Sequence, residues 1–585
     1  MAIRQKPPTT GEIGGRLWLP QYVLESQYNR ERYSRFKAGF VQVFRTQPET
    51  PLPDDPQWVA DPLGSKTWRL YYHGLTWLLA PAWGAHFGRR RQRMNAQDAI
   101  SSILASYFDA NVFNTPADEM AWDDHAAADR LATLCWLADR LPESLHQVGA
   151  DQIEAAVHSH ITALEGFFRS QRWLESNHGL FHALALLDVP VAFPDHPDAS
   201  HAGQLGREYF SIVTHNIVDA DEGVTVEQSV YYHQFLLRLF RSALPFLDSH
   251  YPELGPPVCR LLGGMVAFNR LLAGWDNSMP ALGDSRAFDQ IPDDCLSVED
   301  THPDDIEASV DVDDFLAVFP RSGYVIFRYG EPDDASVGRA TLSAHRQRAA
   351  HGHFDALSVT LQLAATDVLV DSGGPYAYGD YMRFGYFVAS RAHNVILIDD
   401  EDHEGSGSLD GYGAHGRLRW VAASHDGYPG RIVVRTVVWD PGEALIVFDQ
   451  VSEGAEAQFD ALWHYPPGAQ ATVNAGPEGG IASTLDIDGS VVHMKALATA
   501  KLSSTVVEGV EGEKPQGWIT RRLGHIEPAP VQIVTARSHH LDLVTAFGRR
   551  SDIRLYRRGE SVIADIGGTE IHVDEEGIPR FSTGA

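Results

Sequence analysis

The sequence predicts an α+β multidomain protein in which a helical region precedes a region of antiparallel strands. In the first half, apolar residues recur at three- and four-residue spacing. From about residue 322, short β-branched segments separated by Gly, Asp or Pro turns replace them, and no long helical pattern interrupts these strands. Helices followed by strands favour segregated domains over an alternating α/β fold. The length of 585 residues likewise favours more than one domain.

Each predicted helix is amphipathic or apolar over at least three turns. The predicted helices cover 69–80, 96–108, 124–141, 151–168, 178–188, 203–217, 227–247 and 257–274. Asp124 and Asp151 stand where N-cap residues are expected. The short loops between so many helices favour an all-α array of hairpins. The lack of a fixed sequence period argues against a regular solenoid.

The predicted strands share β-branched residues and flanking turn signals. They cover 322–329, 356–363, 367–373, 393–399, 431–438 and 443–451. Residues 289–320 are acidic and predict a linker between domains or a surface loop, since they lack the spacing of a calcium-binding loop. The predicted division is an N-terminal extension of unassigned structure over 1–60, a helical domain over 61–310 and a strand domain over 311–585.

Charge and composition exclude several classes of protein. With 47 Lys and Arg against 78 Asp and Glu, the formal net charge is −31, which disfavours binding to nucleic acid or to anionic membranes. No run of about 18 apolar residues predicts a membrane span. The three cysteines lie far apart and predict no disulfide framework. We expect a cytoplasmic protein, or a periplasmic or secreted one if a leader has been cleaved.

The densest cluster of polar residues with ligand or acid–base chemistry lies within 351–400. His351 and His353 alternate, so on an extended strand both would face one side, and Asp355 would continue that face. Asp371 ends a predicted strand, and His393 opens the next one. Two histidines and one carboxylate from different strands suit zinc or a similar ion. The alternative is a solvated strand with polar ends, since 27 histidines make such pairs common by chance.

Two further clusters lie in the helical half. Asn177 and His178 precede an apolar helix, and taken alone they favour an N-cap. The helix that follows residue 226 carries Tyr231, Tyr232 and His233, which taken alone favours core packing. The Pro- and Gly-containing loop over 275–288 is explained equally well as the exit from the helical array.

Together these segments resemble the heparinase II/III-type polysaccharide lyases, in the order of that family. The resemblance is carried by SNHGL, EQSVYYHQF, MPALGD, FPRSGYVIFR, HGHFDALS, VDSGGPYAY and RAHNVILID, between about residues 170 and 400. It implies an N-terminal (α/α) toroid of helical hairpins and a C-terminal antiparallel β-sandwich that contributes a metal site and a catalytic histidine. Residues 1–60 have no counterpart in the resemblance.

The resemblance implies a carbon–oxygen lyase that cleaves uronic-acid polysaccharides by β-elimination. It assigns Asn177 and His178 to contacts with the acid group of the sugar and Tyr232 to proton transfer. His178 or His351 would be the partner base, depending on the stereochemistry of the uronate. Tyr231 is the competing choice for the tyrosine, and Tyr232 is preferred because it directly precedes His233.

The resemblance also implies a metal site and contacts with substrate. The implied ligands are His353, Asp371 and His393, around a structural ion that is zinc first and manganese or calcium next. The residues expected to bind substrate are Glu227, Tyr378 and Arg383, with Tyr376 and Tyr381 as alternatives for the tyrosine. The arginine-rich string 87–95 lines the cleft or is a solvated helix end.

The sequence leaves open which polymer is the substrate and to which functional class the protein belongs. A glycosaminoglycan-like substrate is the first choice, and alginate or a bacterial exopolysaccharide is the alternative. A glycoside hydrolase that uses Glu227 with Asp284, and a non-catalytic polysaccharide-binding protein, are the competing functions. The acidic net charge and the absence of a visible leader favour a cytoplasmic enzyme that trims short oligosaccharides from one end.

Overall fold

The computed structural model forms two compact units. It describes residues 17–19, 26–52, 58–274, 276–287, 289–296, 311–313, 315–330, 338–345, 351–374, 381–404, 406–522 and 525–583. The helical unit contains the described residues up to 218 and those of 236–262, and the strand-rich unit contains 219–235 and those from 263 onwards. The strand-rich unit therefore includes segments that lie before the predicted boundary at residue 311.

Helices precede strands, as the periodicity predicts. The helices are α1 (Ser26–Lys37), α2 (Lys66–Gly74), α3 (Leu79–Phe87), α4 (Arg90–Ala110), α5 (Asp124–Arg140), α6 (Ala150–Arg169), α7 (Asn177–Ala192), α8 (Ala199–Ile217), α9 (Val230–His250) and α10 (Gly255–Leu272). Helix α7 packs against α5 and α8, and nearly every residue of α5 and α7 is buried. A helix that is apolar on all sides belongs in the interior. Among the described residues, no helix combines the length and hydropathy needed to span a membrane.

The two predicted N-caps are each displaced from the true cap. The Asp123 side chain accepts the hydrogen bond from the backbone N–H of His125, so Asp123 caps α5 and Asp124 is its first helical residue. Gly149, at φ +89°, precedes α6, so Asp151 lies in the first turn. The prediction for Asp124 was wrong because two adjacent aspartates give the same local signal. The displacement leaves the Asp124 carboxylate available for contacts with other side chains.

The described part of the strand-rich unit contains four sheets of four or more strands, all with antiparallel pairing. The first has the order β6-β5-β4-β3-β2-β1, with β1 (Asp311–Val312), β2 (Leu316–Phe319), β3 (Tyr324–Tyr329), β4 (Gly338–Ser343), β5 (Val359–Leu363) and β6 (Thr366–Leu369). The second has eight strands, in the order Gly407–His415, Leu418–Tyr428, Arg431–Asp440, Ala444–Val451, Leu541–Gly548, Ser490–Ala498, Ile481–Ile487 and Gln470–Ala475. The third has four strands, in the order Ile396–Ile398, Ala457–His464, Val531–Ser538 and Leu502–Val507.

The remaining strands are assigned as follows. They are β7 (Ile396–Ile398), β8 (Gly407–His415), β9 (Leu418–Tyr428), β10 (Arg431–Asp440), β11 (Ala444–Val451), β12 (Ala457–His464), β13 (Gln470–Ala475), β14 (Ile481–Ile487), β15 (Ser490–Ala498), β16 (Leu502–Val507), β17 (Trp518–Arg522), β18 (His525–Pro528), β19 (Val531–Ser538), β20 (Leu541–Gly548), β21 (Arg554–Arg558), β22 (Ser561–Ile566), β23 (Thr569–Val573) and β24 (Pro579–Thr583). Strands β21 to β24 form a C-terminal sheet in sequence order. The pairing of β8 with β9 shifts register between Leu409 and Gly411.

The eight-stranded sheet has apolar residues on both faces. On one face, Val437 and Phe547 share a core with Val325 of the six-stranded sheet. On the other face, Ile446 shares a second core with Ile571 of the C-terminal sheet. Alternation of side chains along each strand allows one sheet to serve two cores. This packing holds in place the strands β5 and β7, which follow the polar residues at 351–355 and 393–394.

The His351–His353 segment is not a strand, contrary to the expectation from alternation. Residues 351–357 form turns, and β5 begins only at Val359. The segment contains Gly352, and Leu357 has a left-handed φ of +67°, which a strand does not accommodate. The two histidines nevertheless point to a common partner, because both contact the same carboxylate.

Candidate active site and metal site

The loop over residues 282–285 holds the first turn of α9 in the strand-rich unit. The backbone N–H of Tyr231 donates to Ser285 Oγ at 3.0 Å, and the Ser229 hydroxyl lies 3.1 Å from the backbone oxygen of Asp284. The Asp284 N–H donates to the backbone oxygen of His351 at 2.9 Å. A single loop therefore fixes both the start of α9 and the His351 segment.

Glycine is required in this loop at position 283. Gly283 has φ +62°, and a Cβ at this position would lie 2.1 Å from the backbone oxygen of Gln228 and 2.6 Å from that of His351. A left-handed residue between two close backbones has no room for a side chain. The MPALGD segment therefore has a packing reason for its glycine, directly before Asp284.

Tyr232 and His351 form a stacked pair. Their ring centroids are 3.5 Å apart and the ring planes differ by 11°. The edge of the His351 ring is also held in place, because its Nδ1 lies 3.0 Å from Asp284 Oδ2. Of the two ring nitrogens, Nε2 is the one left for proton transfer. His233, next in sequence, is buried and bonds through Nε2 to the backbone oxygen of Met265, and burial lowers its pKa to about 4.

The Asp284 carboxylate interacts with two histidines and an arginine. Besides His351, it contacts His353 Nε2, which lies 3.2 Å from its Oδ1, and the same Oδ1 accepts a hydrogen bond from Arg383. Burial alone would raise the pKa of Asp284, but the hydrogen bonds from the two histidines and the arginine outweigh burial and hold that pKa well below its usual range. Asp284 is an anion that binds its neighbours, and it contacts both histidines of the HGH segment.

His353, Asp371 and His393 form a buried group in which one candidate ligand atom from each lies within 4.8 Å of the others. Asp371 Oδ2 lies 2.8 Å from His393 Nδ1, and Asp371 Oδ1 accepts a hydrogen bond from the Gly373 N–H. His353 Nδ1 and His393 Nε2 are buried without a hydrogen-bond partner in the described part of the chain. Because the second nitrogen of each ring contacts a carboxylate, these two nitrogens can carry the lone pairs that a metal ion needs.

The donor set therefore fits a divalent ion. Two imidazole nitrogens and a carboxylate are ligands that zinc takes in proteins, and the contact of His353 with Asp284 orients that ring as an outer carboxylate does in metal sites. This group of three can bind a metal ion. Asp355, which was expected to share the histidine face, is buried, and its backbone oxygen accepts a hydrogen bond from Ser358.

The helical unit holds its own histidine–aspartate pair. His178 Nδ1 lies 2.8 Å from Asp124 Oδ2, and the same oxygen lies 3.1 Å from Nε2 of the buried His182. His182 Nδ1 in turn lies 2.9 Å from the Tyr209 hydroxyl. Burial would raise the pKa of Asp124, but the two histidine contacts outweigh it and lower that pKa. The Trp173 ring stacks on the His178 ring at 4.7 Å.

The cap interpretation of Asn177 is wrong. Ser176 is the N-cap of α7, because its side chain accepts a hydrogen bond from the His178 N–H at 3.3 Å. Asn177 is the first helical residue and is buried. The Asn177 and His178 side chains are therefore not required to start the helix, although His178 contributes its backbone N–H to the cap.

The remaining predicted site residues differ in exposure. Glu227 and Arg383 are buried, while the Tyr381 side chain is exposed. Tyr378, together with the alternative Tyr376, lies outside the described residues. The string 87–95 is exposed at each of its four arginines, which flank and open α4. Substrate binding by Glu227, Tyr378 and Arg383 stays a prediction.

Sequence reasoning missed the positions of two carboxylates. Asp124 was taken for a cap, and Asp284 was considered only as a hydrolase acid. Their partners lie 54 and 67 residues away in sequence, beyond any local pattern. The sequence signal that could have identified these two aspartates is their polar neighbours. Asp124 lies between Asp123 and His125, and Asp284 is followed by Ser285.

A helical region followed by a region of antiparallel strands matches the fold of solved heparinase structures. Residues 314–567 match the family described as Heparinase II/III-like, C-terminal. The matched region is similar to the heparinase II/III-like family, and the resemblance seen in the motifs is confirmed.

Solved structures share the fold at low sequence identity. Two heparinase III structures match, each with a TM-score of 0.69: the BT4657 gene product with methylated lysines, at 12% identity over 97% of this chain and 92% of that one, and a second heparinase III at 14% over 95% and 90%. A heparan sulfate lyase HepC mutant from Pedobacter heparinus matches with a TM-score of 0.66, at 15% identity over 99% and 92%. No curated protein matches the sequence. The predicted fold class is confirmed.

Proposed function

We propose that the chain is a polysaccharide lyase that cleaves a uronic-acid-containing anionic polysaccharide or oligosaccharide by β-elimination, leaving 4,5-unsaturated uronate ends. A glycosaminoglycan-like polymer is the first choice of substrate, and alginate or a bacterial exopolysaccharide of uronates is the alternative. The observation that carries the proposal is the stacked pair of Tyr232 and His351, with Asp284 bound to His351 Nδ1.

The difficult step of this reaction is removal of the proton at C5 of the uronate. The bond to the leaving oxygen at C4 then breaks, a double bond forms between C4 and C5, and the leaving oxygen takes up a proton. Removing the C5 proton adds negative charge beside a carboxylate, so the site must neutralise that carboxylate with oriented donors. The reaction therefore needs a base for the C5 proton and an acid for the leaving oxygen.

The Tyr232–His351 pair supplies groups suited to both proton transfers. The phenol of Tyr232 can take the C5 proton or deliver a proton to the leaving oxygen, and His351 has Nε2 left for the other transfer. His178 is the alternative base, depending on the stereochemistry of the uronate at C5. The close ring stacking supports assigning the pair to one reaction, and it favours Tyr232 over Tyr231.

In the helical unit, Asn177 and His178 are the proposed contacts for the uronate carboxylate. Asp124 binds Nδ1 of His178 and thereby fixes the orientation of the imidazole. The stacked Trp173 ring limits rotation of the imidazole. An imidazole fixed in this way is a preorganised donor, as the developing negative charge requires.

The proposed role of the metal group is to hold segments of the strand-rich unit together. We propose zinc as the ion held by His353, Asp371 and His393, with manganese and calcium as weaker candidates. A bound ion would tie the turn before β5 to the segments that follow β6 and precede β7. This role is structural, and the proton transfers belong to the side chains of the chain itself.

The geometry disfavours the hydrolase alternative. A general acid of a glycosidase needs a carboxyl group whose pKa is raised, so that it holds a proton at neutral pH. Asp284 has the opposite environment, because two histidines and the Arg383 guanidinium surround its oxygens and lower its pKa. Asp284 therefore does not suit the role of that acid, and its oxygens are already bound by His351, His353 and Arg383.

The test is a panel of glycosaminoglycans, alginate and bacterial uronate polymers incubated with the purified protein. Ultraviolet absorbance of the unsaturated uronate is followed together with the size and the reducing ends of the products. A lyase produces absorbance in step with new ends on at least one polymer. New reducing ends without absorbance would establish a hydrolase, and binding without either signal would establish a binding protein.

A further inference from the structure

Asp284 is the residue through which the two histidines of the HGH segment are linked. Its Oδ2 contacts His351 Nδ1, and its Oδ1 contacts His353 Nε2. The carboxylate is almost fully buried, at 2% exposure, as is the Arg383 that donates to it. A buried carboxylate with three charged or polar partners holds each of them in one orientation.

The two contacts determine which nitrogen each histidine presents elsewhere. Each ring contacts Asp284 through one nitrogen, so His351 is left with Nε2 and His353 with Nδ1. His353 Nδ1 is one of the buried unpartnered nitrogens of the metal group, and the His351 ring stacks on Tyr232. One carboxylate therefore orients a proton-transfer group and a metal-ligand group at the same time.

Arg383 explains how this arrangement is tolerated in the interior. An isolated buried carboxylate is costly, and a guanidinium in hydrogen-bond contact offsets that cost. Removing Asp284 alone would leave the arginine as a buried cation, which is itself destabilising. This pairing also gives Arg383 a function within the protein that does not depend on substrate.

We propose that Asp284 is a positioning residue that couples the metal site to the proton-transfer site, by fixing the ring orientations of His353 and His351 together. The His351 half of this proposal rests on the proposed function. The His353 half does not, because it concerns metal affinity alone.

The experiment compares Asp284→Asn with the parent in two measurements. Zinc affinity is measured by competition with a chelator, and kcat and KM are measured on whichever polymer the parent degrades. Loss of an outer carboxylate is expected to weaken zinc binding about 10–100-fold. The kcat is expected to fall about 10²–10⁴-fold while KM changes little, because substrate contacts remain.

Two further variants control for folding and for chemistry. Asp284→Asn combined with Arg383→Met also removes the guanidinium that loses its carboxylate, so this variant tests zinc affinity if the single variant unfolds. Asp289→Asn changes a half-exposed carboxylate of the same region, whose partner is Arg286 at 2.6 Å, and is expected to preserve zinc affinity and kcat.

The outcomes separate this proposal from the proposed function. Parental zinc affinity in a folded Asp284 variant, or no zinc binding by the parent, would overturn the coupling. Parental kcat in Asp284→Asn would overturn it as well. A parent that binds zinc but eliminates no uronate would refute the proposed function, and a weakened zinc affinity in Asp284→Asn would then still support the His353 half.

Discussion

Two histidines in different parts of the chain are oriented in the same way. His178 and His351 each contact a buried aspartate through Nδ1, at 2.8 and 3.0 Å. The two aspartates differ in their other contacts, since Asp124 also contacts the buried His182 while Asp284 contacts Arg383. Each histidine thus presents Nε2, the nitrogen farther from the backbone, which gives the imidazole the greater reach toward a ligand.

Substitution of Tyr232 by Phe tests the proposed proton-transfer group. The phenol oxygen is lost while the ring that stacks on His351 stays, so we expect kcat to fall about 10²–10⁴-fold with little change in the midpoint of thermal unfolding. The measurement is the initial rate of ultraviolet absorbance on the preferred polymer. Tyr231→Phe is the matched comparison, and a larger loss there would transfer the assignment to Tyr231.

The buried Asp129 is expected to make the free energy of unfolding of the helical unit depend on pH. Burial raises its pKa to about 7, so the folded protein retains a proton that the unfolded chain releases near pH 4. The stability from this proton is present below pH 4 and is lost as pH rises to 7. Asp129→Asn should therefore be more stable than the parent at pH 8, by about 3–4 kcal/mol, and the difference should shrink toward pH 4.

The check is the free energy of unfolding by denaturant, measured from pH 4 to pH 8. The neighbouring His125, whose pKa burial lowers to about 3, contributes stability that is lost as pH falls below 6.5. Its Nε2 lies 3.8 Å from Asp129 Oδ2, so the comparison that isolates Asp129 is the one between pH 6.5 and pH 8. Asp151→Asn, at an exposed position, measures the effect of the amide itself. A stability difference for Asp129→Asn that does not vary with pH would contradict the burial argument.

At the scale of elements, the short loop before Asp284 is expected to contribute strongly to the stability of the protein. Gly283→Ala should destabilise the protein by two separate effects, the left-handed φ and the contact with two backbone oxygens. Gly416→Ala is the matched control, since Gly416 has φ +58° with open space around its Cβ position. The control should cost about 1–2 kcal/mol, and Gly283→Ala about 2 kcal/mol more. Equal losses in chemical denaturation would show that the close approach is unimportant.

His353→Ala tests the metal group, which draws its residues from three segments of the strand-rich unit. We expect bound metal and the thermal midpoint to fall together, since the ion would tie these segments. Metal content by elemental analysis and unfolding by calorimetry are compared with those of the parent. His493→Ala, on β15, is a control that should change neither. A stoichiometric ion in His353→Ala, or none in the parent, would eliminate these residues as ligands.

The elements also show where local sequence patterns suffice. Helical periodicity and runs of β-branched residues are local patterns that span a few residues. For this reason the sequence predicts correctly that helices precede strands. The caps at Asp124 and Asn177 were displaced because neighbouring polar residues compete for one N–H. The alternation of His351 and His353 would place both on one side of an extended strand, but the segment forms turns, and the two rings share a partner because Asp284 contacts them from another loop.

At the scale of the whole molecule, the charge of −31 predicts how the proposed lyase would attack a polyanion. Repulsion is incompletely screened at physiological salt, where the Debye length is about 8 Å, and it acts less on short chains. We expect release of small products before the viscosity of the polymer falls. A time course of viscosity and product size is the measurement. An early loss of viscosity would indicate internal cleavage and would show that local arginines outweigh the net charge.

The eight-stranded sheet has a consequence for self-association. A terminal strand of a sheet can pair with a strand of another molecule and seed aggregation, unless its geometry or side chains prevent this. Strand β8 carries a register shift that leaves the exposed Asp410 outside the ladder, and β13 exposes Gln470, Thr472 and Asn474. A bulge with a charge at one end of the sheet and polar side chains at the other discourage growth of the sheet from molecule to molecule.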